Sequence, residues 1–163
     1  MRGTYTIIVE CRSDRHVRFG MLGRAKVRKG YYLYTGSALG LGATSLERRL
    51  ERHGSRSKKR RWHIDYLTTN RDCKVKGAVY LISGRRLECK VARLISKELN
   101  LTPILPRIGA SDCNCEGHLL GPELRLNYTT LLTRVTRIYS RIALSRSSVL
   151  YMAQIDCASS HLF

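Results

Sequence analysis

Glycine placement in the stretch "VRFGMLGRAKVRKGYYLYTG" (17–36) limits what this chain can fold into. Gly20, Gly23 and Gly30 interrupt runs that are too short, and too rich in β-branched and aromatic residues, to propagate a helix. Two further strands joined by tight turns are expected there, after a first strand over "TYTIIVE" (4–10), where β-branched residues alternate with others. In the last of these strands Tyr32 and Tyr34 share one face, with Tyr31 and Leu33 on the other.

Helical spacing then takes over. "TSLERRLERHG" (44–54) has a capping-box spacing at Thr44 and Glu47 and a glycine stop at Gly54. Leu46 and Leu50 mark its buried side, while Arg49 and His53 lie one turn apart on one face. "GAVYLI" (77–82) reads as a strand. "RRLECKVARLISKELN" (85–100) reads as a helix with an apolar stripe of Leu87, Val91, Leu94, Ile95 and Leu99, which puts Glu88 at the rim of a buried face. Asn100 suits a left-handed C-cap. Beyond Gly121-Pro122 the spacing of Leu124, Tyr128, Leu131, Val135, Ile138 and Ile142 predicts one amphipathic helix, with Arg134, Arg137 and Arg141 on its wetter sides. Two units are expected: a domain over 1–120 and a basic helical extension over 121–163.

Charge narrows the partners. Thirty Lys+Arg against 12 Asp+Glu give a net +18 over 163 residues, a field that attracts polyanions. DNA is the expected partner and RNA the second choice. An anionic membrane surface is disfavoured because no long apolar run or secretory segment is present. Within "RSKKRR", Arg56, Lys58, Lys59, Arg60 and Arg61 are candidate backbone-phosphate contacts, which hold nucleic acid without reading its sequence. Nearby Trp62 and Tyr66 serve either as base-stacking platforms or as anchors beneath the loop.

Six cysteines without a signal peptide are expected to be reduced, in a cytoplasmic protein. In "CNCEGH", Cys113, Cys115 and His118 are a candidate zinc set. One residue separates the cysteines, where paired zinc ligands are usually two to four apart. Cys89 is available as a fourth thiol, although nothing in the sequence brings it there; the other reading is a buried turn with packed thiols.

The ordered set "GTY" (3–5), "GYYLYTGSALG", "LERRLERH", "RWHIDYL", "LEC" and "SDCNC" resembles the GIY-YIG nuclease superfamily, in particular one mainly archaeal branch of it, over about residues 1–120. The resemblance implies an α+β fold, a small three-stranded antiparallel sheet flanked by helices. It implies a DNA endonuclease using one divalent metal, usually Mg²⁺. Matched by position, Tyr5 and Tyr34 are the motif tyrosines, Arg49 the catalytic arginine, His53 the residue one turn later and Glu88 the metal-binding glutamate. Ser37 stands where some relatives carry a lysine. The residue types suit the chemistry: Glu88 to hold a hard cation, Arg49 to fork onto phosphate oxygens, and Tyr5 or His53 to orient or deprotonate water. The roles of Tyr5 and His53 are interchangeable at this level. The alternative is a module of the same fold that binds nucleic acid without turnover, beside a repair or processing partner.

Overall fold

The computed structural model describes residues 1–144 and 149–154. Among the described residues seven strands and four α-helices follow in the order β1 (Gly3–Cys11), β2 (Arg15–Arg18), β3 (Arg24–Val27), β4 (Gly30–Ala38), α1 (Leu46–Gly54), α2 (His63–Thr68), β5 (Cys73–Ile82), α3 (Glu88–Leu99), β6 (Leu119–Glu123), α4 (Tyr128–Leu144) and β7 (Val149–Gln154). The fold is α+β: a mainly antiparallel sheet flanked by helices.

That sheet has five strands, in the order β6-β4-β1-β5-β7, where three were expected. The expected core is present, because β1 pairs with β4 on one side and β5 on the other. The two additional strands are edges. β6 contains Pro122, which has no N–H to donate, so it suits an outer position. β7 pairs with β5 from Gly77 to Ile82. Gly20 and Gly23 flank the turn of a separate β2–β3 hairpin.

Alternation along the strands builds two cores. Tyr5, Ile7 and Val9 of β1, Tyr32 and Tyr34 of β4, and Tyr80 of β5 face α1, α2 and the hairpin, where Leu46, Leu50, Ile64, Leu67 and Phe19 meet them. Ile8, Leu33, Val79 and Leu81 point the other way, onto Val91 and Ile95 of α3 and Leu131, Val135 and Ile138 of α4. Each such side chain contributes about 1.5–3 kcal/mol on leaving water. The 121–144 part of the expected extension therefore lies on the same sheet as the preceding residues, with Leu124 exposed rather than on the stripe. Residues 155–163 of that extension lie outside the described residues.

Local details sharpen several expectations. Ser45, not Thr44, caps α1 through its hydroxyl to the Arg48 N–H. Asn100 adopts the left-handed conformation at the end of α3, with φ 53°. The expectation that every cysteine is reduced is corrected: Cys11 and Cys73 form a disulfide. They sit directly opposite on β1 and β5 with Cα atoms 4.1 Å apart, a juxtaposition created by strand register between positions distant in the chain. Among the described residues, no helix is long and apolar enough to cross a membrane.

Candidate functional site

A cleft of about 490 Å³ opens at the end of the sheet where β4, α1 and α3 approach one another. Its walls include Tyr34, Gly36 and Ser37 from β4, Arg49 from α1, Arg61, Trp62 and His63 before and at the start of α2, and Glu88 at the start of α3. Gly109, Ser111, Asp112 and His118 of the 100–118 connection close the far side. Tyr34, Arg49 and Glu88, far apart in sequence, thus share one hollow.

Tyr5 and His53 lie one layer behind it. The Tyr5 hydroxyl and His53 Nε2 are 2.8 Å apart, and both residues are buried. The ring centroids of Tyr5 and Tyr34 are 6.5 Å apart, and those of Tyr34 and His53 5.8 Å. Gly36 separates the Tyr5 phenol from the cleft. A β-carbon there would come within 2.7 Å of the Tyr5 oxygen, so the close approach requires glycine. Gly109 answers a similar demand from the other wall. It has φ +71° and a β-carbon position 2.8 Å from the Tyr34 ring.

Burial dominates the acid–base properties of this layer. It pushes the Tyr5 phenol up to about 12, against the opposing pull of the Arg49 guanidinium. Tyr34 is raised for the same reason, and Tyr5 beside it adds to the effect. His53 is pushed down to about 3 by burial, then by the cationic Lys58, with Asp65 acting in opposition. At neutral pH all three are uncharged. His53 Nδ1 and Arg49 Nε are buried without a hydrogen-bond partner among the described residues. Leaving such a nitrogen unpaired would cost on the order of 1–3 kcal/mol, so both are available to bond to a group that enters the site.

Glu88 is the first residue of α3, where a carboxylate complements the helix dipole. It is 6% exposed. Its two oxygens take Ser37 Oγ on one side and Arg86 Nε, 3.3 Å away, on the other. Ser37 is linked in turn to Thr4 Oγ1 at 2.9 Å, and Arg86 also pairs with Asp112. The almost buried Glu88 carboxylate with the Ser37 hydroxyl beside it offers hard oxygen donors of the kind a divalent cation takes, although Arg86 now occupies that carboxylate.

The basic loop divides. Arg61 lines the cleft, and Arg56, Lys59 and Arg60 are exposed. Lys58 points inward: its side chain is 3% exposed, and Nζ donates to the Arg52 and His53 carbonyls at 2.8 and 3.3 Å while facing Asp65. That arrangement satisfies the last carbonyls of α1 and makes Lys58 a structural residue instead of the expected phosphate contact. Asp65 organises the loop, accepting from the Arg61 and Trp62 N–H groups at 2.8 and 3.0 Å and from Arg52 at 2.5 Å.

Trp62 stands between the Arg49 and Arg52 guanidiniums, 5.0 and 4.8 Å from its ring centroid, so it braces Arg49 at the cleft wall. From sequence, Trp62 reads only as a stacking platform or an anchor beneath the loop. Arg86 carries no signal in the sequence, and His63 joins the wall through its Nδ1, which accepts from the Gly109 N–H at 3.2 Å.

A second cluster sits behind the far wall. Cys113, Cys115 and His118 do come together, and Cys89 of α3 joins them. One ligand-type atom from each lies within 4.8 Å of all the others, a set that could hold a metal ion.

No curated protein and no solved structure matches the chain. A family model does match, over residues 4–142, and that span takes in the whole cleft, the thiol cluster and most of α4: the chain belongs to the family described as a domain of unknown function, DUF123.

Proposed function

We propose that this protein is an endonuclease of the GIY-YIG type, hydrolysing DNA phosphodiester bonds with one divalent cation, of which Mg²⁺ is the expected one. The observation that carries the reading is the meeting of Tyr34, Arg49 and Glu88 in one cleft, with Tyr5 and His53 hydrogen-bonded directly behind it. A protein that merely coats DNA has no need of a nearly buried carboxylate beside an arginine.

Glu88 would hold the cation, with Ser37 adjacent. When bound, the cation supplies Lewis-acid stabilisation of the phosphoryl oxygens and acidifies water. The protein's own groups do the rest. Arg49, braced by Trp62, forks onto the scissile phosphate, and Arg61 neutralises a neighbouring one. The proton of the attacking water is relayed inward past Gly36, through a second water, to the Tyr5 oxygen as the Tyr5 proton passes to His53 Nε2, leaving a neutral phenol and an imidazolium. Burial keeps the Tyr5 phenol protonated and leaves His53 a weak acceptor in the free protein. A phosphate anion in the cleft raises the basicity of His53, so substrate completes the base. Tyr34 borders the same space and orients the water. The net charge of +18 supports a polyanionic substrate, DNA first and RNA second.

A second reading keeps the fold and the DNA but not turnover. It is favoured by the weak proton affinity of His53 and by the occupation of Glu88 by Arg86. One experiment separates the two: incubation with supercoiled plasmid and with branched DNA, in Mg²⁺ and then in EDTA. Nicking that needs Mg²⁺ and is lost in Glu88→Ala and Arg49→Ala is the expected result. Salt-sensitive binding without cleavage, unchanged in Glu88→Ala, would establish the binding module instead.

A further inference from the structure

The 100–118 connection between α3 and β6 is long for a segment with no regular structure of its own, and such segments need something to hold them. Its backbone folds into a hairpin-like lobe through Arg107 N–H to the Glu116 carbonyl and His118 N–H to the Ile108 carbonyl. These bonds tie the lobe to itself. The side chains tie it to α3: Cys113, Cys115 and His118 gather around Cys89, the second residue of that helix.

We propose that Cys89, Cys113, Cys115 and His118 are the four ligands of a structural zinc ion, and that this ion clamps one wall of the cleft to the helix that begins with Glu88. Three thiolates and an imidazole are a soft set that selects zinc over the hard cation suited to Glu88. The spacing fits as well. A tetrahedral zinc with Zn–S bonds of about 2.3 Å holds neighbouring sulfurs on the order of 3.8 Å apart, and the four ligand-type atoms lie within 4.8 Å of one another. His118 Nε2 faces Cys113 Sγ at 3.6 Å, and the His118 backbone N–H is held by the Ile108 carbonyl. Four protein ligands fill a tetrahedral ion, which suits a closed site with no open position for chemistry. Three thiolates and one dication leave a single negative charge, which Arg93 beside Cys89 and Cys115 balances.

The consequence reaches the cleft. Gly109, Ser111, Asp112 and His118 form its far wall, and Glu88 precedes Cys89. The zinc therefore sets the distance between that wall and the carboxylate. It is a cross-link, and it takes no part in proton transfer.

Metal analysis of the full chain, purified without chelator, is expected to give one zinc per chain. Cys89→Ser and Cys115→Ser, neither of which lines the cleft, are each expected to lose it. Substitution by Co²⁺ is expected to produce thiolate charge-transfer absorption and the intense visible bands of a tetrahedral site. This spectrum is read on the unmodified chain and decides the matter if the variants fail to fold. Trypsin reports on the clamp, because Arg107 lies at the start of the lobe. After zinc is displaced with a thiol reagent, cleavage there should become at least about ten-fold faster. Chains free of stoichiometric metal, zinc retained in Cys89→Ser, or weak octahedral cobalt bands would overturn the site. Equal trypsin rates with and without zinc would overturn the clamp. None of these readouts involves DNA or Mg²⁺, so they stand whether or not the chain proves to be a nuclease.

Discussion

On the α3–α4 face of the sheet, Thr6, Thr35 and Tyr139 bury three hydroxyls and pair them all, with Thr6 Oγ1 2.8 Å from each partner. On the α1–α2 face, Tyr5, Tyr34, His53 and Arg49 bury a comparable set and leave His53 Nδ1 and Arg49 Nε without partners. Both clusters grow from the same strands, because successive residues of β1 and β4 point to opposite faces. The back cluster is closed and belongs to stability. The front cluster adjoins a cleft, where Tyr34 and Arg49 line the wall. The contrast makes a strong claim: substitutions at the front should damage function and spare folding, and those at the back should do the reverse.

The largest effect should come from the cleft, which Glu88 enters from the start of α3 to meet Tyr34 and Arg49 of the front layer. Glu88→Gln keeps the shape of the side chain and removes its charge, so DNA nicking should fall by roughly 100–1000-fold, the loss typical when a main electrostatic contributor goes. Thermal midpoints should barely move, because Arg86 is exposed and Ser37 can bond to an amide. Nicking unchanged in this variant would remove Glu88 from the site.

Next in size is an effect of acid on the front layer. The pKa of His53 in the folded chain, about 3, lies below the ordinary value of 6.5. The unfolded chain therefore takes up this proton first, and stability falls as the pH drops through 6.5 toward 3. From pH 7.5 to pH 5 this one group should cost on the order of 2 kcal/mol. The groups facing it are Tyr5, Lys58, Asp65, Arg49 and Arg52. Urea unfolding at the two pH values checks it: His53→Gln should flatten the dependence. Parallel curves for both proteins would mean that His53 is not held neutral.

The back cluster supplies a smaller effect of opposite kind. Tyr139→Phe deletes one fully buried hydroxyl and leaves Thr6 and Thr35 bonded to each other, for a loss of about 1 kcal/mol in unfolding free energy. DNA cleavage should be unaltered. A fall in cleavage as large as the one from Glu88→Gln would show that the two faces are not independent.

Much of this arrangement was legible because it rests on local periodicity. Two-residue alternation put Tyr32 and Tyr34 on one face, helical spacing put Arg49 and His53 together and drew the α3 stripe, and Tyr5 was legible only through the motif resemblance. Asn100 was readable as a left-handed cap from residue type alone. What escaped depends on register and long-range packing. β6 and β7 are short edge strands whose pairing is set by neighbours distant in sequence. The Cys11–Cys73 disulfide and the arrival of Cys89 beside Cys113 follow from strand and helix placement that no spacing records. Lys58 belonged to a cationic run, and only the fold turns that one side chain inward while its neighbours remain exposed. Arg86 carried no signal, since an arginine before a helix is ordinary.

Arg86 supplies the smallest predicted effect. It competes with any cation for Glu88 and is itself 59% exposed, so its hold on the carboxylate is that of a surface ion pair, about 1 kcal/mol or less. Arg86→Ala should then tighten Mn²⁺ or Mg²⁺ binding by a few-fold in calorimetric titration. The gain should shrink as salt is added, because screening already weakens an exposed pair. DNA affinity should move the other way, since a positive group at the cleft mouth is lost. Weaker cation binding in Arg86→Ala would mean that the arginine orients Glu88 for the metal instead of blocking it. In that event, the contacts of Glu88 in the free protein are preparation and not competition.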